Sequence, residues 1–485
     1  MLKMKKKNRI IIFSLLVSAI TLLLIELFEW RDFYELMLIY SIFLVIIYSM
    51  LIYEEIKHYK GLNLNLLLLL GFFIRLVFPS ITKAWGAIEG EEYSFIIPEN
   101  VVNDYMFPTI VWMNIFYMIF YWCVFKWVIE ISIEDMIRPF FIRYNIIYIA
   151  IPLFIIGLIY QIITSLIPVG IIPSSINSIL GQLTTLSILS QLFNAIFNPS
   201  RFNNSLFTIF IILSAWVAMF FGFSKGAIMF NFLYYILYYF LKQKYYHKKI
   251  LTPKLLVLIF SFFIIIDLII YPFMSTKRVV SGWDPSVGSI ATVEYSNMDI
   301  LIDVLQGKVK KDENTAAGRL DAITPNAFYY KECCKKNLRT AIFAIDNAGL
   351  LIPRFLYPEK HDSRAGIMAY SFALNGSFDT EVKNVSFVYI GQFASSYMIG
   401  GPLAVLVLAF FNGWFLVFYY NFLLRHRNNI LAILLLLPFM MSALMAFEEI
   451  HDGGLLRIGY NTAMMILILT ITLFFPKFLR VKKLI

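Results

Sequence analysis

Residues 10–28 read IIIFSLLVSAITLLLIELF, with Glu26 as the sole charge in the run. About 20 predominantly apolar residues is the length an α-helix needs to cross the hydrocarbon core of a bilayer. The run shows neither the strict alternation of a half-buried strand nor the one-sided stripe of a helix on a soluble core. It predicts a helix surrounded by lipid. No signal-peptide cleavage pattern separates it from the next apolar run, so the first span is expected to be retained.

The same pattern recurs down the chain. Spans are expected near 10–28, 33–53, 62–80, 106–129, 145–166, 176–198, 205–222, 226–241, 255–273, 397–423, 430–446 and 460–476. The run 176–198 is interrupted by Gln182, Gln191 and Asn194 and is either spanning or re-entrant. Composition agrees with lipid as the solvent: of 485 residues, 60% are hydrophobic and 15% charged, with mean hydropathy +0.75. A soluble domain of this length has no interior that could hide so much apolar surface. The 47 Phe and 29 Tyr suit the membrane–water boundary. The fold class is therefore an all-α polytopic membrane protein with about twelve transmembrane helices. Along the chain it divides into an N-terminal bundle (1–273), one long connection (274–390) and C-terminal helices (391–485).

Charge sets the orientation. The segments Lys3–Arg9, Lys57 with Lys60, Lys126–Arg143, Arg201, Lys242–Lys254, Arg425 with Arg427, and Lys477–Lys483 carry roughly 22 Lys and Arg, against about four in the opposite short loops (Arg31, Lys83, Lys225 and Arg457). That bias puts both termini in the cytoplasm and the 274–390 connection outside, expected at a bacterial cytoplasmic membrane. The net charge of +10 is spread between spans rather than gathered in one domain, which argues against a nucleic-acid partner. Three cysteines, Cys123 and the adjacent Cys333 and Cys334, form no disulfide framework. Neither a Gly-rich phosphate loop nor spaced His or Cys metal ligands are present. No metal and no cofactor are expected.

A connection this long is expected to be folded and functional. Met298, Leu301, Ile302 and Leu305 predict one apolar helical face, with Asp299 and Asp303 beside it, and a second apolar stretch runs over 338–352; both read as short helices lying on or near the membrane surface. Its charges nearly balance, roughly 14 basic against 13 acidic, so anion binding there would fall to a few placed residues rather than a general field. Candidates are Lys277 and Arg278, where the ninth span emerges, then Arg319, Arg354, His361 and Arg364. Two further cations lie in or beside spans. Arg75 is expected about one turn from the outer end of the third span, and an intramembrane arginine is a functional candidate unless it snorkels to the interface. Lys225 stands at the outward hairpin of the seventh and eighth spans.

Cations at the outer headgroup level suit a lipid-linked pyrophosphate, whose isoprenoid tail lies in the bilayer. They can bind the phosphates and stabilise the charge on a departing diphosphate. A base for an acceptor hydroxyl would be His361, flanked by Arg354 and Arg364, with Glu359 and Asp362 as alternatives.

The segment LLIPRFLYPEKHDSRAG (Leu350–Gly366) is similar to a stretch of Wzy-type polysaccharide polymerases, also called O-antigen or oligosaccharide repeat-unit polymerases. FSKGAIMF (Phe223–Phe230) resembles that family's Ser-Arg/Lys-Gly before a helix, and AAGRLDA (Ala316–Ala322) its loop arginine motif. Tyr389, Gly391, Tyr397, Gly400 and Gly401 resemble its Tyr- and Gly-rich entry into a late span. The chain departs from the pattern at His361, where Pro is common, and at Gln392, where a carboxylate is often found. The resemblance implies a metal-independent glycosyltransferase of GT-C-like architecture that joins undecaprenyl-pyrophosphate-linked oligosaccharides. Carried over, Lys225, Arg319 and Arg354 bind pyrophosphate or sugar, and a chain-length regulator is an expected partner beside the membrane lipid. The alternatives weighed are an O-antigen ligase, a lipid-linked-oligosaccharide flippase, and a metal-dependent transferase using Glu29 and Asp32. The single long connection argues against the flippase, which would normally show two similar halves.

Overall fold

In a computed structural model of the chain, the described residues are 2–30, 33–58, 63–89, 103–131, 133–143, 146–166, 174–220, 225–247, 269–280, 297–306, 323–336 and 391–427, with isolated positions elsewhere. Every regular element among them is helical. The helices are α1 (Leu2–Phe28), α2 (Tyr34–His58), α3 (Leu64–Phe72), a π-helical turn (Phe73–Val77), α4 (Phe78–Glu89), α5 (Asn103–Trp127), α6 (Ile133–Arg143) and α7 (Ile147–Leu166). They continue with α8 (Ser174–Phe197), α9 (Arg201–Phe220), α10 (Lys225–His247), α11 (Tyr271–Val280), α12 (Asn297–Leu305), α13 (Ile323–Lys336) and α14 (Gln392–Arg425).

Six stretches are long and apolar enough to cross a membrane: Lys6–Phe28, Tyr34–Lys57, Leu64–Gly86, Asp104–Trp127, Arg201–Met219 and Gly400–Arg425. Each overlaps an expected span. Shorter apolar helical stretches, Ile147–Ile163 and Leu183–Phe197, fall on two more, and α10 covers the expected 226–241. Most of 255–268 and of 430–446, and all of 460–476, lie outside the described residues.

The chain forms two compact units. Unit 1 comprises 1–136, 317–427 and 439–460, and unit 2 comprises 137–316, 428–438 and 461–485. The 274–390 connection thus contributes α13 to unit 1 and α12 to unit 2.

In unit 1 the central element is α5, against which α1, α3, α13 and α14 all pack. Its neighbours approach closely for an identifiable reason. A Cβ on Gly413 of α14 would stand 2.7 Å from the Phe120 carbonyl oxygen and 2.8 Å from Cys123 Cβ. Only a residue without a side chain lets two helix backbones come this near. The upper part of α14 is set at an angle to the rest by Gly400 and Gly401, the latter at φ 66°, a left-handed conformation that favours glycine, with Pro402 behind it.

In unit 2, α7 and α8 form a close pair and α9 packs on both. Phe154 and Phe210 stack with ring centroids 3.9 Å apart. Two of the polar interruptions of α8, Gln191 and Asn194, are buried and paired. Gln191 Nε2 donates to the Asn203 carbonyl at 3.0 Å, and Asn194 Nδ2 donates to Gln191 Oε1 at 3.3 Å. Asn198, just past the helix, donates to the Phe141 carbonyl at 2.7 Å. Ser200 then caps α9, its hydroxyl oxygen accepting the Asn203 N–H at 3.0 Å.

Candidate functional site

The described parts of the candidate site lie at three places. In unit 2, the end of α9, the start of α10, α11 and α12 converge on one apolar cluster. Ala218, Ile228, Phe273, Met274, Ile300 and Val304 are buried in it, with Ile270 just before α11. The face that α12 turns inward is carried by Ile300 and Val304, with Leu301 partly buried, whereas Ile302 is 44% and Leu305 62% exposed. The helix expected here is present, and the side it packs inward lies about a third of the way round from the apolar face read in the sequence. The asymmetry has a local cause: the burial site offered by α11 is filled by the β-branched pair one turn apart.

Lys277 of α11 is 4% exposed and its ammonium donates to the Met219 carbonyl of α9 at 2.9 Å. A cation at the C-terminal end of a helix meets carbonyls that no intrahelical N–H satisfies. Burial pulls its pKa down from 10.5 to about 8. Lys225 is the first residue of α10, one turn before the buried Ile228. Arg278 follows Lys277 in α11. The fold therefore brings the backbone positions of Lys225, Lys277 and Arg278 to one end of the α9–α10 hairpin. Arg319, Arg354, His361 and Arg364 lie outside the described residues.

In unit 1, Arg75 occupies the middle of the π-helical turn. The expected span 62–80 would end one turn beyond it. The helical run instead continues through α4 to Glu89, and its apolar stretch extends from Leu64 to Gly86. Arg75 therefore stands midway along it rather than near an end. Single π-turns inside helices recur at functional sites, and a mid-span arginine reaches an interface less readily than one near a helix end. Lys83, expected in a short loop, is 2% exposed within α4.

Also in unit 1, α13 holds the first turn of α14. Asn326 Oδ1 accepts the Ala394 N–H at 3.2 Å, and a Cβ on Gly391 would lie 2.2 Å from the Asn326 side chain. Tyr397 sits edge-on to Tyr330 at 4.7 Å between ring centroids and contacts Trp112 of α5 at 6.4 Å. The Tyr- and Gly-rich entry read from the sequence is thus the joint where α13, α14 and α5 meet. Glu29 follows α1, and Asp32 lies outside the described residues. Among the described residues, no three His, Cys, Asp or Glu side chains gather to hold a metal ion.

The residues that sequence reading missed are at the opposite end of α1. Lys7 and Glu55 form an ion pair with both side chains fully buried, and Lys6 pairs with Glu54 alongside. The available signal was two consecutive carboxylates closing an apolar span, which demand partners when buried.

No known protein family, curated protein or solved structure matches the chain.

Proposed function

We propose that the chain is a polysaccharide polymerase, a membrane glycosyltransferase that joins undecaprenyl-pyrophosphate-linked oligosaccharide repeat units at the outer face of a bacterial cytoplasmic membrane. The observation that carries the reading furthest is the gathering of Lys225, Lys277 and Arg278 at one end of the α9–α10 hairpin, beside an apolar cluster. Cations for its diphosphate are what such a carrier demands of the protein, and the buried cluster beside them fixes the elements that carry them. The likeness of Leu350–Gly366 to the polymerase segment supplies the rest of the constellation.

In this reading, Lys225, Arg278 and Arg364 bind the carrier's pyrophosphate or glycan, while Arg319 and Arg354 stabilise the transition state; Arg75, midway along its helical run, is not at the headgroup level and is left out of the site. The hydroxyl of an incoming repeat unit attacks the anomeric carbon of the growing chain. The bond from that carbon to the diphosphate oxygen breaks, a glycosidic bond forms, and the hydroxyl proton passes to His361. Undecaprenyl pyrophosphate leaves with the bonding electrons, its charge held by the arginines and lysines. No nucleotide sugar is consumed. Purified chain in lipid vesicles, given an undecaprenyl-pyrophosphate-linked repeat unit of the host's own glycan, is expected to produce a ladder of longer lipid-linked products. Unchanged single repeats with correctly folded protein would contradict the reading.

A further inference from the structure

The Glu55 carboxylate ties four helices together. Its Oε1 receives the Lys7 ammonium of α1 and, at 2.9 Å, the Tyr121 hydroxyl of α5. Its Oε2 receives the Asn63 side-chain amide at 3.3 Å. Asn63 Oδ1 in turn caps α3 by accepting the Leu66 N–H at 2.7 Å. Lys7 also lies over the Phe125 ring, 4.7 Å from its centroid. The flanking Lys6–Glu54 pair closes the edge, with Glu54 buried and Lys6 open to solvent.

A second polar layer repeats the arrangement two helical turns away. Ser14, Tyr48 and Asn114 stand seven residues from Lys7, Glu55 and Tyr121 on the same three helices, in the direction that keeps each layer level. Asn114 Nδ2 is shared among Ser18 Oγ (2.9 Å), Ser14 Oγ (3.2 Å) and the Tyr40 hydroxyl (3.2 Å). The Tyr48 hydroxyl donates to Asn114 Oδ1 at 3.2 Å. Ser14, Ser18, Tyr48 and Asn114 have no exposed surface.

We infer that the end of unit 1 bearing the chain's N-terminus is a fixed floor, locked by the Glu55 node and the Asn114 layer behind it, and that no substrate passes through this seam. A gate must break and remake its contacts. Parting α1 from α2 and α5 would break the Lys7–Glu55 pair, and would unpair the second layer in the same movement. The carboxylate accepts from Lys7, Tyr121 and Asn63 at once, so one movement would break all three contacts. This holds whether or not the chain is a polymerase.

The test uses the full chain in its native membrane, with Cys123, Cys333 and Cys334 replaced by Ala. Lys6→Cys with Glu54→Cys, joined by a short bis-maleimide, is expected to leave unchanged whatever phenotype the wild-type gene restores in a null strain. Loss of that phenotype on cross-linking, with the uncross-linked variant active, would overturn the floor. Should that pair fail to accumulate, Ser14→Cys keeps the inference testable. It is expected to stay unmodified by a membrane-permeant maleimide during turnover, and labelling at the rate of an exposed cysteine would contradict a closed seam. A missing glycan phenotype would count against the polymerase reading alone, since the labelling result does not depend on it.

Discussion

The ammonium of Lys277 is seated on the main-chain carbonyl of Met219, 2.9 Å away and 58 residues earlier in the chain. That contact fastens α11 to the end of α9 and so fixes the foot of the hairpin that begins again at Lys225. Because burial holds the amine near a pKa of about 8 instead of 10.5, the contact carries a pH signature. The unfolded chain keeps the proton up to the higher value and the folded chain releases it at the lower. Between the two, the unfolded state binds more protons, so stability rises with pH across that window, and the cost of the buried charge is fully present below about 8. The difference in melting temperature between wild-type and Lys277→Met protein in detergent is expected to shift in favour of the wild type between pH values of about 8 and 10. A difference that does not change with pH would contradict the assignment.

Glu55 makes a second prediction. Lys7→Met leaves a buried carboxylate without its cation and is expected to destabilise unit 1 by about 3–5 kcal/mol. Replacing both partners, Lys7→Met with Glu55→Leu, is expected to recover a large part of that loss, because two uncharged side chains need no counter-ion. Thermal unfolding in detergent measures both. A double variant as unstable as the single one would show that the other ligands of Glu55, and not the ion pair, dominate the node.

Gly413 is where α14 lies directly on α5. Gly413→Val places new carbons within 3 Å of the Phe120 carbonyl oxygen and Cys123 Cβ and is expected to cost about 1–3 kcal/mol through overpacking. Its exposed neighbour Phe411, at 53%, is expected to tolerate Leu with little change. Equal accumulation of both variants in the membrane would mean that the helices are free to move apart.

The membrane-protein class was legible in runs such as 10–28 because the lipid solvent leaves no alternative use for so many apolar residues. Interior polar residues were harder to place, for a physical reason. Gln191 and Asn194 read as interruptions of a span, whereas each finds a partner inside unit 2, and pairing across helices is not visible in one segment's composition. Lys7 read as one of several cytoplasmic cations, yet its partner Glu55 is 48 residues away. In α12 the sequence showed the face of Met298, Leu301, Ile302 and Leu305, whereas the side packed against α11, Ile300 and Val304, is a second apolar stripe that only the neighbouring helix reveals. Arg75 was placed near an end because Lys83 read as a loop cation, whereas it is buried within α4 and the apolar run continues to Gly86.

The residues proposed to handle substrate give a fourth prediction. Lys225→Ala, Arg319→Ala and Arg354→Ala are each expected to abolish polymer while protein abundance in the membrane stays unchanged. Retained polymer length in all three would remove them from the site. His361→Ala tests the base separately: a loss of several orders of magnitude in rate is expected, whereas near-normal activity would move that role to Glu359 or Asp362.

The most direct test of the proposed activity is the size distribution of surface glycan in a strain lacking the gene. A polymerase predicts glycan reduced to a single repeat unit on its acceptor, or single lipid-linked repeats accumulating on the outer leaflet. Full-length polymer stranded on undecaprenyl pyrophosphate would contradict it in favour of a ligase, and single repeats trapped on the cytoplasmic leaflet would contradict it in favour of a flippase.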